Sequence, residues 1–145
     1  MKVSMEESSV HTEPEIIVRY REMDEPLKRV VAAIRLACGS LIGRREEKSY
    51  ILNATDIFYF EAVDGKVFIY AEKEVYETSL RLYEIESRFE ESDFFRASKS
   101  VVANLSKISC VKAVFNGRFE ANMKNGEKII ISRQYVPLLK KKLGL

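Results

Sequence analysis

The sequence predicts a mainly β domain with short helices, an α+β fold. Apolar runs of strand length recur through its middle and last thirds. Asp64-Gly65, Asn116-Gly117 and Asn125-Gly126 separate several of them, and such dipeptides supply the positive φ that tight hairpin turns require. Helical periodicity is confined to short stretches.

Residues 1–14 are polar and acidic and read as a flexible leader. They contain no apolar segment of the kind a signal peptide needs. Residues 16–20 (IIVRY) read as a strand. Asp24 is placed to cap a helix that Pro26 can open. Leu27, Val30, Val31, Ile34 and Leu36 form its apolar stripe, and Gly39 ends it. Leu41-Ile42 and residues 50–52 flank a charged turn, and residues 53–56 form a local turn. Residues 57–63 and 67–71 make a hairpin across Asp64-Gly65, with Lys66 near its tip. Residues 75–78 read as a strand, and 79–89 as a helix with Ser79 as a candidate cap. Beyond Phe94-Phe95 and the small apolar run 100–105, the two Asn-Gly turns predict a meander. Residues 132–143 begin as a loop and close as a short basic helix.

The chain has 145 residues, enough for one domain, or one with a short added unit, at about 100–200 residues per domain. Hydrophobic residues make up 46% and charged residues 32%, an ordinary soluble balance. No apolar run approaches the ~18–20 residues of a membrane span. A cytoplasmic protein is expected. Cys38 and Cys110 stand far apart with no second soft ligand near either. They read as two buried thiols rather than a zinc site.

The net charge of +2 conceals an asymmetry. Residues 94–145 hold eleven Lys and Arg against two acids, a net +9, which leaves −7 on residues 1–93. Basic density of this kind is the footprint of a polyanion partner. Enzymatic chemistry finds little to work with. His11 is the only histidine and lies in the leader, which removes most Ser-His and metal-His schemes. No phosphate-binding glycine loop is present, and the paired carboxylates Glu46-Glu47 and Glu90-Glu91 lie in charge-rich segments. No catalysis, cofactor, metal or small-molecule substrate is expected. Neither a helix-turn-helix nor a zinc-finger signature is present. The residues by themselves reach a basic β-rich binding domain. They leave open whether its partner is DNA, an acidic protein bound by an interaction or anti-regulator module, or single-stranded RNA. The last lacks regularly spaced stacking aromatics in the final third.

The order of several pieces goes further. Residues 56–62 (DIFYFEA) are followed by a turn, and residues 82–86 (LYEIE) by 94–104 (FFRASKSVVAN) and Ile108. Asn125-Gly126 then leads into 131–135 (ISRQY). In that order and spacing, residues from about 43 to 143 resemble the LytTR-type DNA-binding domain of bacterial transcription regulators. The resemblance implies an elongated stack of small antiparallel sheets that reads double-stranded DNA by placing basic loops in successive major grooves. By position it implies base contact by Arg133, then Lys99 beside Ser98, then Lys66. Arg96, Lys112 and Lys140 are expected at phosphates, Arg96 having an ion-pair role as its alternative. Asn104, polar within an apolar run, is expected to satisfy backbone groups.

Two departures from the family pattern stand out. Ser98 occupies a position where many members have histidine. The ~40 residues ahead of the DNA module are also too few for a phospho-receiver domain. The expected organisation is therefore a leader (1–14), a strand–helix unit for packing or dimerisation (15–42), and a LytTR-like DNA-binding domain (43–145). The expected partners are short repeated DNA sites, a second copy in a homodimer, and a restraining membrane protein.

Overall fold

The computed structural model describes residues 1–10 and 14–145, with the side chains of residues 35–38 and 40 outside the description. His11, Leu36 and Cys38 therefore lie wholly or in their side chains outside the described residues.

Helix α1 (Glu25–Cys38) begins as its sequence dictates. Asp24 Oδ1 accepts the Leu27 N–H at 2.9 Å, which satisfies one donor of the first turn. Leu27 is buried, Val31 and Ile34 are half-buried, and Val30 faces solvent. The helix ends directly before Gly39. Residues 16–20, expected as a strand, form none and pair with no strand among the described residues. Their β-branched composition favours a strand, yet a strand persists only beside a partner.

Strands β1 (Ser40–Arg45) and β2 (Lys48–Asn53) form a hairpin across Glu46 and Glu47, both at positive φ. Gly43 is needed where β1 crosses β5 (Val75–Thr78), because a Cβ there would lie 2.7 Å from Tyr76 Cβ. β3 (Tyr59–Val63) and β4 (Lys66–Tyr70) turn at Asp64 and Gly65, with φ of 51° and 78°. Helix α2 (Leu82–Arg88) starts later than expected. Arg81, not Ser79, is its N-cap, and the Arg81 N–H donates to Glu84 Oε1. Then follow β6 (Phe94–Arg96), β7 (Val101–Asn104), β8 (Ile108–Ala113), β9 (Phe119–Met123), β10 (Lys128–Ile131) and α3 (Val136–Leu143). No described helix is long and apolar enough to cross a membrane.

The strands form two sheets, entirely antiparallel. One has the order β2-β1-β5-β4-β3-β7-β6, the other β10-β9-β8. Side chains alternate across a strand, so β6 and β7 serve two cores at once. Phe94 and Val102 join Phe60, Ile69 and the α2 residues Leu82 and Ile85. Phe95, Val101 and Ala103 join Ala121, Met123, Ile131 and the α3 residues Val136 and Leu139. The result is the mainly β fold with short helices that the sequence predicts.

Asn104 is fully buried and satisfied. Its Nδ2 donates to Ile57 O at 2.8 Å, and its Oδ1 accepts from Ser106 N and Oγ. Asn53 makes the same local turn with Thr55. One expectation fails plainly: Cys110 is exposed. It sits past a register shift in β8, on the outer strand of the smaller sheet. The apolar side chains of that strand that pack on the core are Ile108 and Val111.

Candidate nucleic-acid interface

The hairpin β3–β4, the turn joining β6 to β7, and the segment after β10 all open at one end of the sheets. Main-chain hydrogen bonds tie them together. Ala62 N donates to Ser100 O at 2.8 Å, linking the β3–β4 hairpin to the β6–β7 turn. Ser132 N donates to Ala97 O at 2.8 Å, linking that turn to the chain leaving β10. The β8–β9 turn joins the group through Gly117, whose missing side chain leaves room for the Arg133 stem. A Cβ there would lie 2.9 Å from Arg133 Cδ. Its φ of 72° also favours glycine.

This arrangement gathers Lys66, Ser98, Lys99 and Arg133, three of which are exposed cations. Among the described residues none of the three takes part in a salt bridge. Ser98 is half-buried, and its Oγ accepts the Ser100 N–H at 3.2 Å.

Arg96 differs from the other cations. Its side chain is only 19% exposed and is anchored within the protein. Nε donates to Ser98 O at 2.7 Å, Nη2 to Lys99 O at 2.5 Å and Nη1 to Glu86 Oε2 at 3.2 Å. A guanidinium that holds two successive carbonyls shapes the turn from beneath. Lys112 is exposed on β8 opposite Glu120. Lys140 Nζ lies 5.6 Å from the centre of the Phe119 ring, so its charge stands over an aromatic face at the edge of the loop cluster.

The sequence reading missed Arg118. It is exposed directly after Asn116-Gly117, and its Nε donates to Phe115 O at 3.3 Å. The signal was present, because Asn116-Gly117-Arg118 repeats the turn-then-cation order of Asp64-Gly65-Lys66.

The other end of the sheets has a different character. There Lys124 N donates to Lys107 O, and Asn125 Nδ2 donates to Glu72 O. Asp56, Glu72, Lys73, Glu74 and Lys107 surround a recess of about 390 Å³. Lys107 sits 5.3 Å from the Phe58 ring centre. Nearby, burial and then the Glu127 carboxylate push the Tyr59 hydroxyl well above the usual tyrosine range. Cations stand beside acids here: Lys73 and Lys107 share the recess with Asp56, Glu72 and Glu74.

Comparison with known proteins matches residues 47–144 to the LytTr DNA-binding domain family. The chain is similar to the sensory transduction protein LytT of Bacillus anthracis, 36% identical over 100 residues. That match covers 69% of this chain and 41% of LytT, so the chain spans about two fifths of the length of such relatives. It is also 24% identical over 147 residues to a Staphylococcus aureus protein described as an uncharacterized HTH-type transcriptional regulator. There the match covers 100% of this chain and 99% of the relative. Among solved structures, the LytTr DNA-binding domain of a putative methyl-accepting/DNA response regulator from Bacillus cereus superposes with a TM-score of 0.70 at 24% identity. It covers 73% of this chain and 97% of that one.

Proposed function

This chain belongs to the LytTr DNA-binding domain family, a DNA-binding and transcription-regulating module, and we propose that it reads specific duplex sequences by seating this loop end in the major groove. The observation that carries the reading is the pair of main-chain bonds, Ala62 to Ser100 and Ser132 to Ala97. They bring Lys66, Lys99 and Arg133 to one edge, where none of the three takes part in a salt bridge among the described residues.

In this mechanism Arg133 reads a guanine. Its guanidinium can give two hydrogen bonds to O6 and N7, and the Gly117 contact steadies its stem. Lys99 and Lys66 reach the groove from the neighbouring loops, and the Ser98 hydroxyl adds a short polar contact. Serine is smaller than the histidine common at this position in the family, so base preference at that step shifts. Arg118, Lys112 and Lys140 meet phosphates, which position the protein without specifying sequence. Arg96 acts as a positioning residue that holds the Ser98–Lys99 turn. Two copies bind repeated sites, because one narrow loop end covers few base pairs.

Selection of random duplexes on the protein at two salt concentrations tests this. The expected result is an enriched short motif whose affinity drops about a thousand-fold between 50 and 200 mM salt if six phosphates are contacted. No enriched motif, or binding indifferent to salt, would overturn the reading.

A further inference from the structure

Phe115 is 78% exposed. The next most exposed large apolar residue between 94 and 143 is Ile130, at 44%. A single apolar side chain at a surface is ordinary, so exposure alone says nothing of function. The setting of this one does. Phe115 stands in the β8–β9 turn, and that turn is fixed at several points. Val114 N donates to Arg118 O at 2.9 Å and closes it. Asn116 and Gly117 both take positive φ, 64° and 72°. Arg118 Nε donates to Phe115 O at 3.3 Å. Gly117 lies so near the Arg133 stem that a Cβ would come within 2.9 Å of Arg133 Cδ. The ring is thus carried by a fixed main chain, two positions from the glycine that meets Arg133.

Burying a phenyl ring would stabilise the fold, yet this sequence leaves it in water between Arg118 and Arg133. Residues 114–118 hold no acid. A surface that covers the ring must therefore also accept two guanidinium groups beside it. The major groove of a duplex offers both. Phosphates and guanine edges suit the arginines, and the thymine C5-methyl is the apolar group of the base edges there. Contact with the Arg133 stem puts the ring on the groove that Arg133 enters. The minor groove lies across a phosphate strand from it, so a wedge between base steps on that side is disfavoured.

We propose that Phe115 is a specificity-determining residue, which packs its ring on the C5-methyl of a thymine near the guanine that Arg133 reads. It supplies a preference that the surrounding cations lack, because guanidinium and ammonium groups find acceptors and not methyl groups. The inference deepens the duplex reading above and rests on it.

The test takes the duplex enriched by selection and replaces each thymine in turn by deoxyuridine, which lacks only the methyl group. The unchanged chain and Phe115→Ala are titrated against every duplex. The substitution removes an exposed ring and no core contact, so both proteins fold. At one position the replacement should weaken binding of the unchanged chain about fourfold, the worth of one buried methyl group. Phe115→Ala should bind the parent duplex about fourfold or more weakly and be indifferent to that replacement. Equal sensitivity of the two proteins at every thymine overturns the proposal, as does a Phe115→Ala chain that binds the parent duplex unchanged. A loss that is the same with thymine and uracil, accompanied by a smaller DNA bend, also overturns it, because the ring then acts as a wedge. Failure of the duplex reading looks different. With no enriched motif both readings fall, whereas a motif that needs Arg133 but ignores the methyl group removes the Phe115 assignment alone.

Discussion

The two ends of the sheets are built from the same parts and do different things. At one end the turns carry Lys66, Lys99, Arg118 and Arg133, all exposed and outside the salt bridges among described residues. At the other, Lys73, Lys107 and Lys124 stand among Asp56, Glu72, Glu74 and Glu127. Both ends have several cations. The difference is how many carboxylates stand near them: Asp64 is the acid of the β3–β4 turn, while Asp56, Glu72, Glu74 and Glu127 stand among the cations of the other end, and nearby opposite charges weaken the field at a distance. Counting lysines along a chain therefore overstates how much of its surface attracts DNA.

The largest expected effect breaks the frame that separates the ends. Asn104→Ala removes the side chain that serves Ile57 O and Ser106 in a fully buried site. It should cost about 2–4 kcal/mol, because buried partners are left unsatisfied. Urea unfolding measures it, and a loss of a few tenths would show that water replaces the amide. Next comes Arg133→Ala. It should lower affinity for the selected site by about 1–3 kcal/mol and relax preference at one base pair. Lys107→Ala, at the mixed end, should leave DNA affinity within about twofold, and parallel titrations compare the two. A smaller effect is expected from Lys66→Ala and Lys99→Ala. Each should flatten the slope of log affinity against log salt by about 0.9 if its contact is to phosphate. An unchanged slope with altered base preference would make it a base reader instead.

The smallest effect belongs to Tyr59, at the mixed end. Its folded form holds the proton above the ordinary value of 10.0, first through burial and then through Glu127. A folded pKa above the unfolded one means the contribution is complete below pH ~10 and shrinks as pH rises further, because only the unfolded chain then ionises. Tyr59→Phe should make the alkaline loss of stability less steep without removing it, since Tyr70 is shifted in the same direction. Unfolding midpoints measured across that pH range test the sign.

Much of the loop end was legible in advance because turns are local. Asp64-Gly65 and Asn116-Gly117 adopt positive φ, and the strands between them keep a two-residue alternation. Lys66 and Arg133 are exposed, Lys66 directly after the hairpin turn. Arg118 followed the same rule and was passed over. Arg96 was not decidable from its neighbours. Its exposure depends on Glu86, ten positions earlier on α2, and on two carbonyls of the following turn. Cys110 was misjudged for a similar reason, since burial depends on which side of a shifted β8 meets the core.

The sequence by itself determined the elements that need only their own residues: the Asp24 cap, the glycine-bearing hairpin turns, the strand periodicity, and the local turns that Asn53 and Asn104 make with the residues two positions on. Tertiary structure alone decided which loops share an end, which cations are spent inside the fold, and that residues 16–20 pair with no strand among the described residues. Backbone dihedrals respond to nearest neighbours, so a short stretch of sequence specifies them. Charge neutralisation and strand pairing depend on groups brought together by folding, and no local stretch contains them.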